Sequence, residues 1–318
     1  MDARQLRYFV AIVEQGSFSR AAALLHIAQP ALSLHVRNME ADLGTQLLFR
    51  SPKGVVPTEA GAILLRNARI ILDQFAVAEE EIRGHENDPA GEVRLGLPGT
   101  IGEILSVPLI RAAHLRYPKI KLRIAEAMSG FVLEWMRDAR IDLAVLYRDV
   151  SDHGIVTIRL LEEELRFFGP AEDAARPDLP PSGQTMPYGW IQHLPLILPG
   201  ANHGLRELLA RHALAAALDL NTVIDVDSYG NIKELVRTGF GYSILPENAI
   251  SREVDAGALR SWKIGEPAIL RSVHLAHSIE RPMSNAVAAI QMLARETLVD
   301  LARTGRWAGA RITVEGDE

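Results

Sequence analysis

Gly16-Ser17-Phe18-Ser19-Arg20-Ala21-Ala22-Ala23-Leu24-Leu25-His26-Ile27-Ala28-Gln29-Pro30-Ala31-Leu32-Ser33 is the stretch on which the fold turns. Gly16 ends whatever precedes it. Ser17 is a good N-cap, and Phe18, Ala21, Ala22 and Leu25 recur at helical spacing, so a short Ala-rich helix able to pack closely follows. His26 to Ala28 make a tight connection. Pro30 suits the first turn of a further helix, where its missing N–H costs nothing, and Ala31, Leu32, Val36, Met39 and Leu43 carry that helix to Gly44. Upstream, Leu6, Phe9, Val10 and Val13 step by three and four, the mark of a helix with one buried face. Downstream, Gln46-Leu47-Leu48-Phe49-Arg50 reads as a strand, Ser51-Pro52-Lys53-Gly54 as a turn and Val55-Val56-Pro57 as the return strand. Three helices and a small basic hairpin make a winged helix-turn-helix, whose third helix is free to enter a DNA major groove.

The net charge of −6 looks wrong for such a role, so its distribution matters more than its sum. Residues 1–58 carry six basic groups (Arg4, Arg7, Arg20, Arg37, Arg50, Lys53) against four acidic ones (Asp2, Glu14, Glu40, Asp42), a surplus of +2 that leaves −8 downstream. Phosphate contacts depend on charge at the contact face, and an acidic body discourages loose association. With 318 residues, 48% of them hydrophobic, the chain has enough for two or more globular domains. No secretory signal opens it and no run approaches a membrane span. Zero cysteines exclude a disulfide framework, a thiolate nucleophile and a Cys-ligated metal, and fit a reducing cytoplasm.

From Glu59 to Glu86 neither Gly nor Pro interrupts residues 62–83, which predicts one helix of about forty Å. Leu64, Ala68, Ile71, Phe75, Ala78 and Ile82 alternate four- and three-residue steps along it, a narrow seam of the kind that pairs two helices in a coiled coil. A helix docked on its own body is the alternative. His85 to Gly91 is a breaker-rich hinge. Beyond it, strands and helices alternate (strand 93–97, helix 102–116, strand 121–126, helix 131–139, strand 143–146), implying a parallel sheet with helices on its faces. A strand at 156–160 precedes a second set: run 165–169, strand 196–198, helix 204–218, strand 222–226, helix 230–238 and strand 242–245. The Pro-rich stretch Arg176 to Pro187 reads as a loop, and a strand at 272–276 with a helix at 283–303 returns to the first lobe. The tail after Trp307 reads as loose.

The string Leu6-Arg7-Tyr8-Phe9, Gly16-Ser17-Phe18, Ala21-Ala22, Leu24-Leu25, Gln29-Pro30-Ala31-Leu32-Ser33, Leu43-Gly44, Leu47-Leu48-Phe49-Arg50 and Thr58-Glu59-Ala60-Gly61 resembles the LysR-type transcriptional regulators, and the likeness covers nearly the whole chain. Within that family His26-Ile27-Ala28-Gln29-Pro30, Gly54-Val55-Val56-Pro57-Thr58 and Leu97-Pro98-Gly99-Thr100 look closest to the nitrogen assimilation control regulators and related sulfur or aromatic-catabolism regulators. The fold class is α/β: a winged helix-turn-helix (residues 1–58), a linker helix and hinge (59–90), and a two-lobed, periplasmic-binding-protein-like regulatory domain (91–305). Lobe I takes 91–162 and 268–305, lobe II 163–267. The resemblance implies a cytoplasmic homotetramer, a dimer of dimers, that binds inverted-repeat promoter DNA and is switched by a small coinducer. RNA polymerase is a further expected partner, and no cofactor is expected.

For DNA contact the expected residues are Gln29, Pro30, Ser33, Leu34, His35 and Arg37 on the third helix, with Arg50 and Lys53 on the wing. Gln29 can pair bidentately with adenine, although it could instead cap the helix. Leu34 departs from the polar or basic residue common at this family position, so one contact becomes apolar, as to a thymine methyl. Arg50 and Lys53 suit backbone phosphate.

In a two-lobed α/β domain ligands bind between the lobes, near strand C-termini and helix N-termini. Gly99 and Thr100, Ser129 and Gly130, and Asn202 and His203 open helices at such places, and the resemblance puts them at the coinducer cleft. Tyr147 and Ser228 join them. Free N–H groups there favour an anion, while ordinary N-capping is the plainer reading of Thr100, Ser129, Asn202 and Ser228. Two rival functions stay open. A nucleotide-dependent enzyme is disfavoured because Gly96, Gly99 and Gly102 lack the dinucleotide spacing and no His-Glu-x-x-His occurs. A secreted two-lobed solute-binding protein would need an export signal and has no use for residues 1–58.

Overall fold

The computed structural model describes residues 1–52, 54–83, 88–147, 150, 154–172, 176, 178–265 and 268–313. Lys53 and residues 85–87 of the expected hinge lie outside them.

Asp2 and Gln5 form a reciprocal capping box that starts α1 (Ala3–Gln15), and Gly16, at φ 57°, ends it. Ser17 accepts from the Arg20 N–H and caps α2 (Phe18–Leu25). His26, also left-handed at φ 55°, makes the turn into α3 (Gln29–Leu43). Strands β1 (Leu48–Ser51) and β2 (Gly54–Pro57) form the antiparallel wing. Leu6, Phe9, Ile12, Ala21, Leu32, Val36, Met39, Leu47 and Leu48 close the core between them.

The linker helix α4 (Glu59–Arg83) follows, started by Thr58, whose hydroxyl donates to the Gln46 carbonyl (2.8 Å) and accepts from the Gly61 N–H (3.0 Å). Here the sequence reading needs correction. Ala68 is wholly buried in the helix-turn-helix core, and Leu64 packs against that core with Leu65 and Leu72. Only Ile71, Phe75 and Ile82 of the expected seam are left as large exposed apolar side chains. The four- and three-residue steps run along a helix whose first half docks on its own domain and whose second half carries the free stripe.

The regulatory region opens with β3 (Gly91–Leu97), α5 (Gly99–Arg116), β4 (Ile120–Glu126), α6 (Ser129–Arg137) and β5 (Leu143–Leu146), with β3 parallel to both other strands. The two strand pieces expected at 156–160 and 165–169 are one continuous strand, β6 (Ile155–Pro170). It is followed by β7 (Thr185–Met186), α7 (Tyr188–Ile191), β8 (Leu196–Leu198), α8 (Gly204–Ala215), β9 (Thr222–Asp225), α9 (Tyr229–Arg237), β10 (Ser243–Pro246), α10 (Glu247–Asp255) and β11 (Leu259–Ile264). The last elements are β12 (Leu270–Ser278), α11 (Asn285–Arg303) and β13 (Ala310–Ile312).

β6 is the spine. Residues 155–164 pair antiparallel with β12, and residues 165–170 pair with β10 and β11, so one strand serves both lobes and the sheet is mixed rather than all parallel. A run buried on both faces at the crossing carries no period to tell one strand from two. Residues 310–312, beyond Trp307, are tied down rather than loose, because β13 pairs with β6 and Trp307 is buried. Lobe I therefore extends past residue 305, and Ile269 packs in the core of lobe II.

Candidate nucleic-acid interface and effector cleft

The third helix offers its N-terminal face to solvent. Gln29, Pro30, Leu34 and Arg37 are exposed, and Leu34 is 53% accessible although it is a large apolar residue. Ala28, not Gln29, occupies the N-cap, without a side-chain cap bond. Gln29 instead donates from Nε2 to Ser33 Oγ at 2.8 Å, which holds its amide along the helix face. His35 is half-buried with its ring 5.1 Å from that of Tyr8 on α1, so it packs between helices. Arg50 is also engaged, 3.3 Å from Glu40 and stacked 4.8 Å over the Phe18 ring. Glu40, on α3, accepts from the Leu47 N–H (2.9 Å) and the Leu48 N–H (3.3 Å). That carboxylate fixes the wing to the reading helix. At the wing tip the Val55 N–H donates to the Gly16 carbonyl (3.0 Å), and a Cβ on Gly54 would come within 2.8 Å of that oxygen.

In lobe I, β3 and β4 run in register to Leu97 and Glu126, so α5 and α6 start from the same edge of the sheet. Pro98 and Met128 stand at their N-caps with no side-chain cap bond, leaving first-turn N–H groups of Gly99, Thr100, Ser129 and Gly130 without that partner. Tyr147 follows β5 on this edge and shares a 2.5 Å hydrogen bond with Thr100. Lobe II is the counterpart: β8 and β9 are parallel, His203 caps α8 by accepting from the Leu205 N–H (3.1 Å), and Ser228 caps α9. Asn202 is exposed beside the His203 cap.

Four residues that the sequence reading missed join the lobes. Arg271, at the start of β12, is buried with its guanidinium 3.4 Å over the Tyr147 ring. It donates from Nε (2.7 Å) and Nη2 to Glu163 of β6, whose other oxygen accepts from the Trp307 indole at 3.1 Å. Tyr229, the first residue of α9, stands on the lobe II side where the Arg271 charge acts on its phenol, and its ring lies 5.8 Å from the His203 ring. Burial alone would depress the Arg271 pKa, but the Glu163 carboxylate bonded to it more than reverses this and raises it. Burial pushes Tyr147 well above the usual phenol value and Tyr229 upward as well, and it lowers His203, with Arg271 adding to that effect. The cleft thus presents neutral phenols and a neutral imidazole around an internally balanced ion pair. The discoverable signal was a lone arginine in the apolar strand Leu270-Arg271-Ser272-Val273.

Comparison with known proteins agrees with this geometry. Residues 3–62 match a family model described as bacterial regulatory helix-turn-helix protein, lysR family, and residues 86–298 match the LysR substrate binding domain. The nitrogen assimilation regulatory protein nac of Escherichia coli K12 is 32% identical over 92% of this chain and 94% of its own length. The regulator BbuR of Bordetella bronchiseptica is 27% identical over 99% and 96%. Among solved structures, a full-length single-residue variant of OxyR from Pseudomonas aeruginosa superposes with a TM-score of 0.78 at 24% identity, covering 100% of this chain and 99% of that one. CbnR in complex with its target DNA gives 0.54 at 22% identity over 93% and 99%. A reading helix pinned to its wing, a linker helix and a two-lobed domain in this order place the chain in the LysR family of transcriptional regulators.

Proposed function

We propose that this regulator binds a small anionic coinducer between its two lobes and, as a self-assembled homotetramer in the cytoplasm, changes how it engages inverted-repeat promoter DNA and RNA polymerase. One observation carries the reading. Buried Arg271 lies over the Tyr147 ring of lobe I and its charge acts on Tyr229 of lobe II, so anything that enters between the lobes alters an interaction that spans them. The preference for an anion is supported by the two helix N-termini of lobe I that lack side-chain caps, because Glu163 already neutralises Arg271. Gly99, Thr100, Ser129 and Gly130 would hold the anion, and His203, Tyr147 and Ser228 would line the facing side. The residues have no enzymatic or cofactor role in this reading. Among the described residues no helix is long and apolar enough to cross a membrane, and no group of three metal-binding side chains occurs.

Genome-wide mapping of bound DNA is the test. Reproducible sites with a shared inverted repeat are expected, and compounds of the neighbouring genes' pathway then enter titrations with the full-length protein. Absence of reproducible sites would overturn the regulator reading, and binding unaffected by Thr100→Val would overturn the cleft assignment.

A further inference from the structure

We infer that Asp73 of the linker helix, held by Arg281 and Arg94 of lobe I, is the joint through which the state of the cleft reaches the DNA-reading head. Arg281 donates from Nε (3.0 Å) and Nη2 to Asp73, from Nη1 to the Ile141 carbonyl (2.5 Å) and from Nη2 to Asp142 (2.5 Å). Arg94 clasps Asp142 at 3.0 and 2.8 Å and stands 3.6 Å from Asp73. One turn earlier on α4, buried Arg69 donates to the Asp138 carbonyl (2.9 Å) and to Glu14 of α1 (3.0 Å). A single patch of lobe I is therefore bonded to the linker and, through it, to the helix-turn-helix.

The elements that form this patch each have their other end in the cleft. β3 carries Arg94 and leads to Thr100; α6 starts at Ser129 and ends beside Asp138; β5 starts after Asp142 and leads to Tyr147. β12 carries Arg271 as its second residue and its exit loop carries Arg281. Hydrogen-bonded strands and helices move as units, so a shift at the cleft end displaces the joint end.

The joint is also built to part. Asp142 keeps both bonds from Arg94 when Asp73 leaves, so no buried carboxylate is orphaned. Asp73 is 30% accessible already, and water can replace its partners. Arg69 keeps Glu14 but leaves its buried Nε without a hydrogen bond, and burial is the main cause of its lowered pKa, so docking it on lobe I carries a cost that undocking returns.

The inference rests on the cleft reading above, and its test needs no effector. The chain has no native cysteine, so Gln74→Cys on α4 and Glu134→Cys on α6 take two spin labels without background in the full-length protein. Asp73→Asn should broaden the interlabel distance distribution and move the boundary of the footprint on mapped operator DNA. Tyr147→Phe, which breaks the Thr100 bond at the cleft, should shift the distances when Asp73 is present and lose that effect in Asp73→Asn. Asp73→Glu, which keeps a carboxylate for Arg281 and Arg94, should keep the narrow distribution. The joint is overturned if Asp73→Asn leaves distances and footprint unchanged, or if Tyr147→Phe acts equally in both backgrounds. Failure of the unaltered protein to bind any operator would instead sink the regulator reading, and a joint that responds as expected while no candidate small anion binds the full-length protein would sink the effector reading alone.

Discussion

The Arg271 guanidinium lies 3.4 Å over the Tyr147 ring while Glu163 holds it from below, so an aromatic face, a carboxylate and a buried cation form one unit at the crossing of the two lobes. Arg271→Met would leave Glu163 buried with only the Trp307 indole as partner, and breaking a buried pair in this way costs about 3–5 kcal/mol. A large drop in the denaturant midpoint of the regulatory domain is expected. Adding Glu163→Gln should recover much of it; a double variant no more stable than the single would show that the charge is not the cause.

His203 accepts the Leu205 N–H and is half-buried, and this desolvation favours the neutral ring and holds its folded pKa below the ordinary 6.5. A depressed folded pKa means that the unfolded chain takes up the proton first, so this contribution is complete above about pH 6.5 and is lost as pH falls through that value towards the lower folded pKa. His203→Asn keeps a capping side chain without the titration. Its denaturation midpoint should fall less steeply with acid than that of the unaltered protein, with His212 and His277, also lowered by burial, supplying the remaining slope.

On the reading helix, Gln29→Ala should cost about 1–3 kcal/mol at one operator position and little elsewhere. Leu34 is exposed and adds nothing to the core, so Leu34→Arg should leave stability within about 0.5 kcal/mol. It should also steepen the dependence of operator affinity on salt by about one phosphate contact. Titrations across a salt series, with each base pair of the operator varied, separate the two effects.

A Cβ at Gly61 would sit 2.0 Å from the Leu47 carbonyl oxygen, a backbone atom that cannot swing away. Gly61→Ala should therefore push α4 off the wing, destabilise the N-terminal domain by about 1–3 kcal/mol and weaken operator binding. Gly204→Ala, where the added carbon meets nothing within 4 Å, serves as the neutral control.

The linker helix separates self-association from folding. Phe75→Lys should weaken dimers in sedimentation without changing the thermal midpoint, because Phe75 is half exposed. Leu64→Ala should do the reverse, since Leu64 packs on the helix-turn-helix core. Equal effects of both on assembly would restore the unbroken seam read from the sequence.

The helix-turn-helix was legible because its signals are local. Ser17 caps its own helix, Gly16 and Gly44 take left-handed turns within one residue of where the pattern stops, and the wing follows its turn residues. Gln29 could be placed at the start of the reading helix but not oriented, because its bond to Ser33 depends on a rotamer. His35 and Arg50 read as free DNA-facing groups, yet Tyr8, Glu40 and Phe18 engage them across elements far apart in sequence. At the cleft the helix starts were visible as turns, but of the expected caps Thr100, Ser129, Asn202 and Ser228 only Ser228 caps its helix, while Pro98, Met128 and His203 take the other N-cap positions. Arg271 and Tyr229 were not singled out, since their roles arise where β6 and β12 cross.

By itself the sequence determined the order of reader, linker and two-lobed sensor, because helix periodicity, caps and breakers act over a few residues. Only the tertiary structure decided that α4 divides its apolar side chains between its own domain and solvent, that β6 runs unbroken through both lobes, and that Asp73 meets Arg281 from 208 positions away. Those outcomes depend on which surfaces meet when the elements pack, and no spacing along the chain encodes a contact between residues so distant.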